Sequence, residues 1–191
     1  FSASFRTYAS IMQKPWGVFS DLGFENYVGV FNDFKTLKEY DGGFKTVFFE
    51  EMFFNSLLYA GGGAVLQTLC TAAVAYCTAK YDNKCSKAIH YIVIVTLALP
   101  IVGNLASMIT VTKTLGLFDN IVGSWIMKFG FNNIYYMIFY AFFKKISWEY
   151  AESAFLDGGG HYTVFFRIMM PLSVPIIATI FLLNFIQYWN D

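Results

Sequence analysis

The stretch EYAESAFLDGGGHYTVFFRIMMPLSVP, Glu149 to Pro175, decides the fold. It is the most polar part of the C-terminal half, and an apolar run lies on each side of it. Local chemistry divides it into two helices around a hinge. Ser147 can cap the first helix. Glu149 lies in that helix's first turn, where the dipole favours an acid, and Glu152, Ala154 and Asp157 follow. Gly158, Gly159 and Gly160 then end the helix, because glycine permits positive φ and an abrupt change of direction. A second amphipathic stretch, HYTVFFRIMM (His161–Met170), leads to Pro171, which suits the first turn of the next helix. Pro175 falls one turn later.

Composition sets the solvent. Of 191 residues, 57% are hydrophobic, 20% aromatic and 14% charged, whereas soluble domains average roughly 25% charged. Mean hydropathy is +0.49. A membrane protein, or a fragment of one, follows. The formal net charge is zero, so there is no basic footprint for nucleic acid. Cys70, Cys77 and Cys85 lack metal-ligand spacing and read as buried or reduced thiols. His90 and His161 are isolated, so no metal site is expected. There is no initiator Met and no visible signal peptide. The sequence stops at QYWND, directly after an apolar run, so both ends are expected to be trimmed and span counts are minima.

The expected fold class is all-α and polytopic, with at least four spans. Residues 1–54 read as an external or interfacial segment with short helices following a first span, with KEYDGGFK (Lys38–Lys45) as a turn. Residues 55–191 read as the transmembrane domain. Its first span, Asn55–Ala79, has the length a bilayer needs. It is rich in Gly, Ala, Ser and Thr, which let helices approach closely in lipid, so it belongs inside a bundle. The second, Ile89–Val111, is interrupted by Pro100 and Gly103, breaks that buried membrane helices tolerate. The third, Phe129–Phe143, is short and carries Asn132 and Asn133. Before it, Leu115–Lys128 reads as an amphipathic helix with Asp119 as its cap. The fourth, Leu172–Trp189, ends in aromatics suited to a membrane interface.

Basic residues set orientation. Lys80, Lys84 and Lys87 crowd one loop, and Lys144, Lys145 and Arg167 flank the Glu149 segment. Alternating spans put both loops on one side, which the charge bias makes cytoplasmic. A connection as long as 144–171 is not needed to join two spans. A defined helix–turn–helix there suggests a docking surface; an amphipathic connector lying on the membrane is the plainer reading. A catalytic role for Glu152 and Asp157 is not supported, since no nucleophile or metal ligands accompany them.

The same stretch resembles the EAA loop of the permease subunits of bacterial ABC importers, in the carbohydrate-uptake class. That pattern has Ile-Pro, an acid, Glu-Ala-Ala, two residues, Asp-Gly-Ala, and after a spacer Ile-x-Leu-Pro. Here stand Ile146-Ser147, Glu149, Glu152-Ser153-Ala154, Asp157-Gly158-Gly159 and Ile168-Met169-Met170-Pro171, without a gap. Ser147, Ser153 and Gly159 depart from it; all are small and are expected at most to loosen the hinge. FENYVGVF (Phe24–Phe31), NSLLYA (Asn55–Ala60), LGLFDN (Leu115–Asn120) and YWND (Tyr188–Asp191) are weaker similarities that extend it over most of the chain, the last favouring the second maltose-type permease.

The resemblance implies a type I ABC importer transmembrane-domain fold, with one span before or including Phe1 and one after Asp191. It implies a heterodimer with a second permease subunit, two cytoplasmic ATPase subunits and an extracellular sugar-binding protein. ATP and Mg²⁺ would be bound by the ATPases, with no cofactor or metal held by this chain and no catalytic residue in it. A Gly-x-x-x-x-Gly-Lys-Ser/Thr loop is indeed missing from the sequence. Docking to the ATPase would fall to Glu149, Glu152, Ala154, Asp157, Gly158 and Pro171. For the substrate pathway, hydroxyl-matching amides are wanted near the spans. Asn104, Ser107, Asn184 and Gln187 are candidates, though hydrogen bonding between helices explains each equally well. A permease for another solute, or a channel or secondary transporter with an amphipathic connector, are the competing readings. The clear spans hold no intramembrane charge to favour the last.

Overall fold

The computed structural model describes residues 2–17, 23–40, 43–99, 105–130 and 133–191. The chain divides into two compact units, Phe1–Ser56 and Leu57–Asp191. It is mostly helical, with one hairpin among the described residues that the sequence did not lead us to expect.

The first unit contains α1 (Tyr8–Gln13), α2 (Glu25–Asp33), and the antiparallel strands β1 (Lys35–Tyr40) and β2 (Gly43–Phe48). The strands pair from Lys35 with Phe48 to Tyr40 with Gly43. The stretch read as a turn is therefore the inner end of a hairpin, and residues 41–42 lie outside the described residues. The intervening Asp-Gly is a strong hairpin cue. It was obscured because KTLKEY lacks the apolar alternation of a half-buried strand. Arg6 is buried, and its guanidinium donates to the carbonyls of Ser10, Lys14 and Gly17 at 2.6, 2.8 and 2.6 Å. It thereby satisfies carbonyls at the end of α1.

α3 (Phe49–Lys80) is 32 residues long. Ala60, Ala64, Thr68, Ala72, Ala75 and Ala79 are buried along it, a stripe at helical spacing that lets neighbours come close. The expected second span is two helices, α4 (Lys84–Ala98) and α5 (Leu105–Thr114). Pro100 and Gly103 lie between them, outside the described residues. α6 (Ile121–Lys128) starts later than expected, and its cap is Asn120, whose Oδ1 accepts from Val122 N–H at 2.9 Å. Asp119 instead takes a left-handed φ of 58° in the turn before it. α7 (Asn133–Lys145) buries Tyr136, Phe139 and Phe143 against the small residues of α3. The three Cys are free thiols, and Cys77 and Cys85 are exposed where burial had been one expectation.

α8 (Glu149–Leu156) follows, then one α-turn, α9 (His161–Thr163), a π-helical stretch Val164–Met169, and α10 (Met170–Leu172). α11 (Val174–Trp189) completes the chain and pairs antiparallel with α3: Asn184 bonds Thr68, and Tyr59 bonds Asp191. The expected fourth span thus begins at Val174, with Pro175 in its first turn. The axis turns 75° between His161–Leu172 and Val174–Trp189. Pro175 lacks the N–H that would bond Pro171 and its ring crowds that carbonyl, which is how proline bends helices. Ser173 covers the break: its N–H donates to Met169 O and its Oγ–H to the same oxygen at 2.6 Å. Among the described residues, α3 is long and apolar enough to cross a membrane, and the bent pair passes the same test taken together.

Candidate functional site

The segment from Lys144 to Leu172 packs on the end of α3, the Tyr81 loop and α7. α8 is amphipathic at helical spacing. Ala151 is fully buried and Ala154 and Phe155 half-buried, while Glu149, Glu152, Ser153 and Leu156 are exposed. The inner stripe joins a core with Tyr76, Phe143, Val164 and Met169. Leu156 is 89% exposed and Tyr162 83%. Large apolar groups left in solvent, beside three acids, are what a partner-binding surface presents.

The start of α8 is weakly capped. Ser147 is not the cap: Trp148 holds that position and makes no side-chain capping bond, and Ser147 Oγ, one residue earlier, accepts only a long bond from Glu149 N–H at 3.3 Å. The end is closed tightly. Gly159 N–H donates to Ala154 O at 2.8 Å and Gly158 N–H to Phe155 O at 3.0 Å, with Gly158 at φ +84°. These two bonds and the left-handed residue make a Schellman motif. Gly158 is therefore required by its conformation, with open space around it. Gly159 is constrained differently, since a Cβ there would meet Ala154 O at 2.8 Å. Gly159, one of the three departures expected at most to loosen the hinge, instead allows a close backbone approach within it.

Beyond the glycines, Met170 N–H reaches Phe165 O, five residues back, as in a π-helix. Pro171 has no N–H with which to continue the ladder. Of the docking residues named from the sequence, Glu149, Glu152 and Asp157 share the exposed side of the α8 region. Gly158 shapes its end, Ala154 faces inward, and Pro171 lies exposed in α10 before the bend.

An aromatic brace, which sequence reasoning missed, fixes this segment to α3. Tyr81 Oη lies 2.9 Å from His161 Nδ1, and its ring is 5.8 Å from that of Trp148. Phe155 meets His161 at 5.0 Å, and Tyr76 meets Phe165 at 4.9 Å. Such pairs contribute about 0.5–1.5 kcal/mol each beyond burial. Lys80 Nζ donates to Ile146 O, tying the entry of the segment to the same end. The isolated histidines are thus both partnered: His90 stacks on Tyr140 at 4.1 Å and its Nδ1 lies 3.1 Å from Tyr136 Oη. Aromatic abundance was visible in the sequence, but its pairing between distant loops was not.

The pathway candidates differ in burial. Asn184 is buried, with Nδ2 donating to Thr68 Oγ1 at 2.9 Å and Oδ1 unsatisfied among the described residues. Gln187, one turn further along α11, and Ser107 on α5 are exposed. Asn104 lies outside the described residues.

Comparison with known proteins agrees with this architecture. The chain is 25% identical over 190 residues to the diacetylchitobiose uptake system permease protein NgcG of Streptomyces coelicolor, covering 99% of this chain and 59% of that protein. It is 30% identical over 190 residues to Protein LplC of Bacillus subtilis, covering 100% of this chain and again 59% of the relative. It therefore spans about three fifths of the length of these relatives. The fold matches, with a TM-score of 0.78 and 24% identity, a crystal structure of a bacterial ABC transporter involved in the import of the acidic polysaccharide alginate, covering 100% of this chain and 63% of that one. The family described as binding-protein-dependent transport system inner membrane component matches residues 68–191, which include α8, the glycine turn and the bent helix pair. The chain belongs to that family.

Proposed function

We propose that this chain is a membrane-spanning subunit of an ATP-driven importer of a sugar or oligosaccharide. In this reading α8 is the element that passes ATPase closure to the spans. The carrying observation is the two-sidedness of α8: its inner stripe is set in the core while its acids and Leu156 stand free. A helix held this way moves with the bundle as a rigid body, so force applied to its outer face reaches α3, α7 and α11. Coupling two sites through one bistable element is the general form of such transmission.

The sugar assignment is supported by the family and by the relative whose name records diacetylchitobiose uptake. The partners would be a second permease subunit, two ATPase subunits and an extracellular binding protein, with ATP and Mg²⁺ bound on the ATPases. Multiple passes through the bilayer would be completed by the α4–α5 and α7 segments.

The test is Gly158→Val in the reconstituted transporter. A β-branched residue at φ +84° is strained and should unwind the end of α8. Uptake should fall by about tenfold or more, the scale of 1–2 kcal/mol of backbone strain, with sugar capture by the binding protein and subunit assembly retained. Unchanged uptake would sink the coupling assignment.

A further inference from the structure

Beside the α8 segment lies a cavity of about 330 Å³, walled by the Lys80–Lys87 loop, the first turns of α4 and the end of α7. Lys80, Lys87 and Lys144 line it, against Asp82 as the one acid among the described lining residues. Lys87 is paired with Asp82 at 2.8 Å, which spends that carboxylate. Lys80 gives a hydrogen bond to the neutral carbonyl of Ile146, and Lys144 lies 5.6 Å from the Tyr140 ring centroid. Like charges converging on one partly open space repel. An anion in the cavity removes that cost.

We propose that this cavity binds the phosphate of an anionic membrane lipid. The wall leads outward onto apolar surface: Tyr91, at its rim, is 66% exposed, and Ile92 and Val95 beside it on α4 are each 59% exposed. A phosphate between the lysines would leave acyl chains to run along that face. Basic pockets between membrane helices recognise anionic headgroups in this way, and lysines near such a membrane surface attract them. Free phosphate shares the headgroup chemistry but has no use for the apolar track. The inference rests on the membrane placement of the chain, not on transport or coupling.

The test is native mass spectrometry of the complete purified transporter, loaded with phosphatidylglycerol or phosphatidylcholine, with inorganic phosphate as competitor. Phosphatidylglycerol should be retained preferentially, and excess phosphate should not displace it. The K87Q/K144Q double variant should weaken retention by about thirtyfold, as expected for two surface-proximal charges, while K87R/K144R should preserve it. Equal retention of both lipids, or a preference untouched by K87Q/K144Q, would overturn the proposal. Displacement by inorganic phosphate would also overturn it, by assigning the site to a free anion. Sugar uptake measured on the same preparation reports on transport separately, so failure of lipid binding and failure of import are distinguishable.

Discussion

The two ends of the helical unit are built on opposite plans. At the coupling end, α3 meets α8 and the 161–169 stretch through rings: Tyr76, Tyr81, Trp148, His161 and Phe165. At the other, α3 meets α6 and the end of α11 through glycines and a charge clasp. Lys128 Nζ and Tyr59 Oη both donate to Asp191 Oδ2 at 2.6 Å. Lys128 also lies over the rings of Tyr188 and Tyr59 at 3.9 and 4.9 Å. Tyr188 bonds Gln67, and Trp125 Nε1–H donates to the carbonyls of Leu58 and Tyr59 at 3.2 and 3.3 Å. The clasp holds helices to one another by fixed bonds. The brace holds an exposed helix to the bundle and leaves its outer face open. The second plan is the one that the proposed transmission of force through α8 would need.

The largest stability effect should come from the clasp. A Cβ at Gly62 would stand 2.2 Å from the Trp125 ring. Making room displaces the indole from its two carbonyls, so Gly62→Ala should cost about 2 kcal/mol, in the range of overpacked cores. Thermal unfolding of the purified transporter would measure it. Uptake per ATP hydrolysed should stay near wild type, the reverse of Gly158→Val. Uncoupling by Gly62→Ala would break the division of labour between the ends.

A smaller effect sharpens what the coupling end requires. Gly159→Ala places a methyl against Ala154 O, a backbone atom that cannot swing aside. The Schellman bond from Gly159 should lengthen, costing about 1 kcal/mol, with a corresponding fall in melting temperature and a partial loss of uptake. Wild-type behaviour would mean that only Gly158 sets the turn.

These two glycines mark how far the sequence could be read. Positive φ at Gly158 follows from a helix end and a glycine, and the resemblance placed it too. The constraint on Gly159 depends on where the Ala154 carbonyl lands, which no spacing reveals. Likewise the small-residue stripe of α3 was legible because helical period is written into the chain, and its burial followed. The Asn120 cap was misplaced by one residue because Asp119 and Asn120 are both good caps, and only the left-handed φ of Asp119 separates them. The bonds that tie the brace to Tyr81 and the clasp to Tyr59 join residues far apart in sequence, as from Tyr81 to His161, 80 positions apart, and from Tyr59 to Asp191, 132 apart, so local chemistry could not pair them. Asn184 drew attention as a polar residue in an apolar run; its burial against Thr68 gives it a helix-joining contact in the structure.

The mildest prediction concerns pH and the clasp alone. Hydrogen bonds from Lys128 and then Tyr59 hold the Asp191 carboxyl below its ordinary value of 3.8, against some opposing burial. A carboxylate whose folded pKa is depressed stabilises fully above its unfolded value and loses that contribution as pH falls through the folded one. The clasp should therefore be intact at neutral pH and weaken below about pH 4. Asp191 is 51% exposed, so solvent screening keeps the effect to roughly 0.5 kcal/mol. The melting temperature of Asp191→Asn should sit slightly below wild type at pH 7, and the two should converge as pH falls toward 3. The part of any acid-sensitive step that belongs to the clasp should be the part lost in Asp191→Asn. An acid transition equally large in Asp191→Asn would take the clasp out of the account and put the titrating group elsewhere.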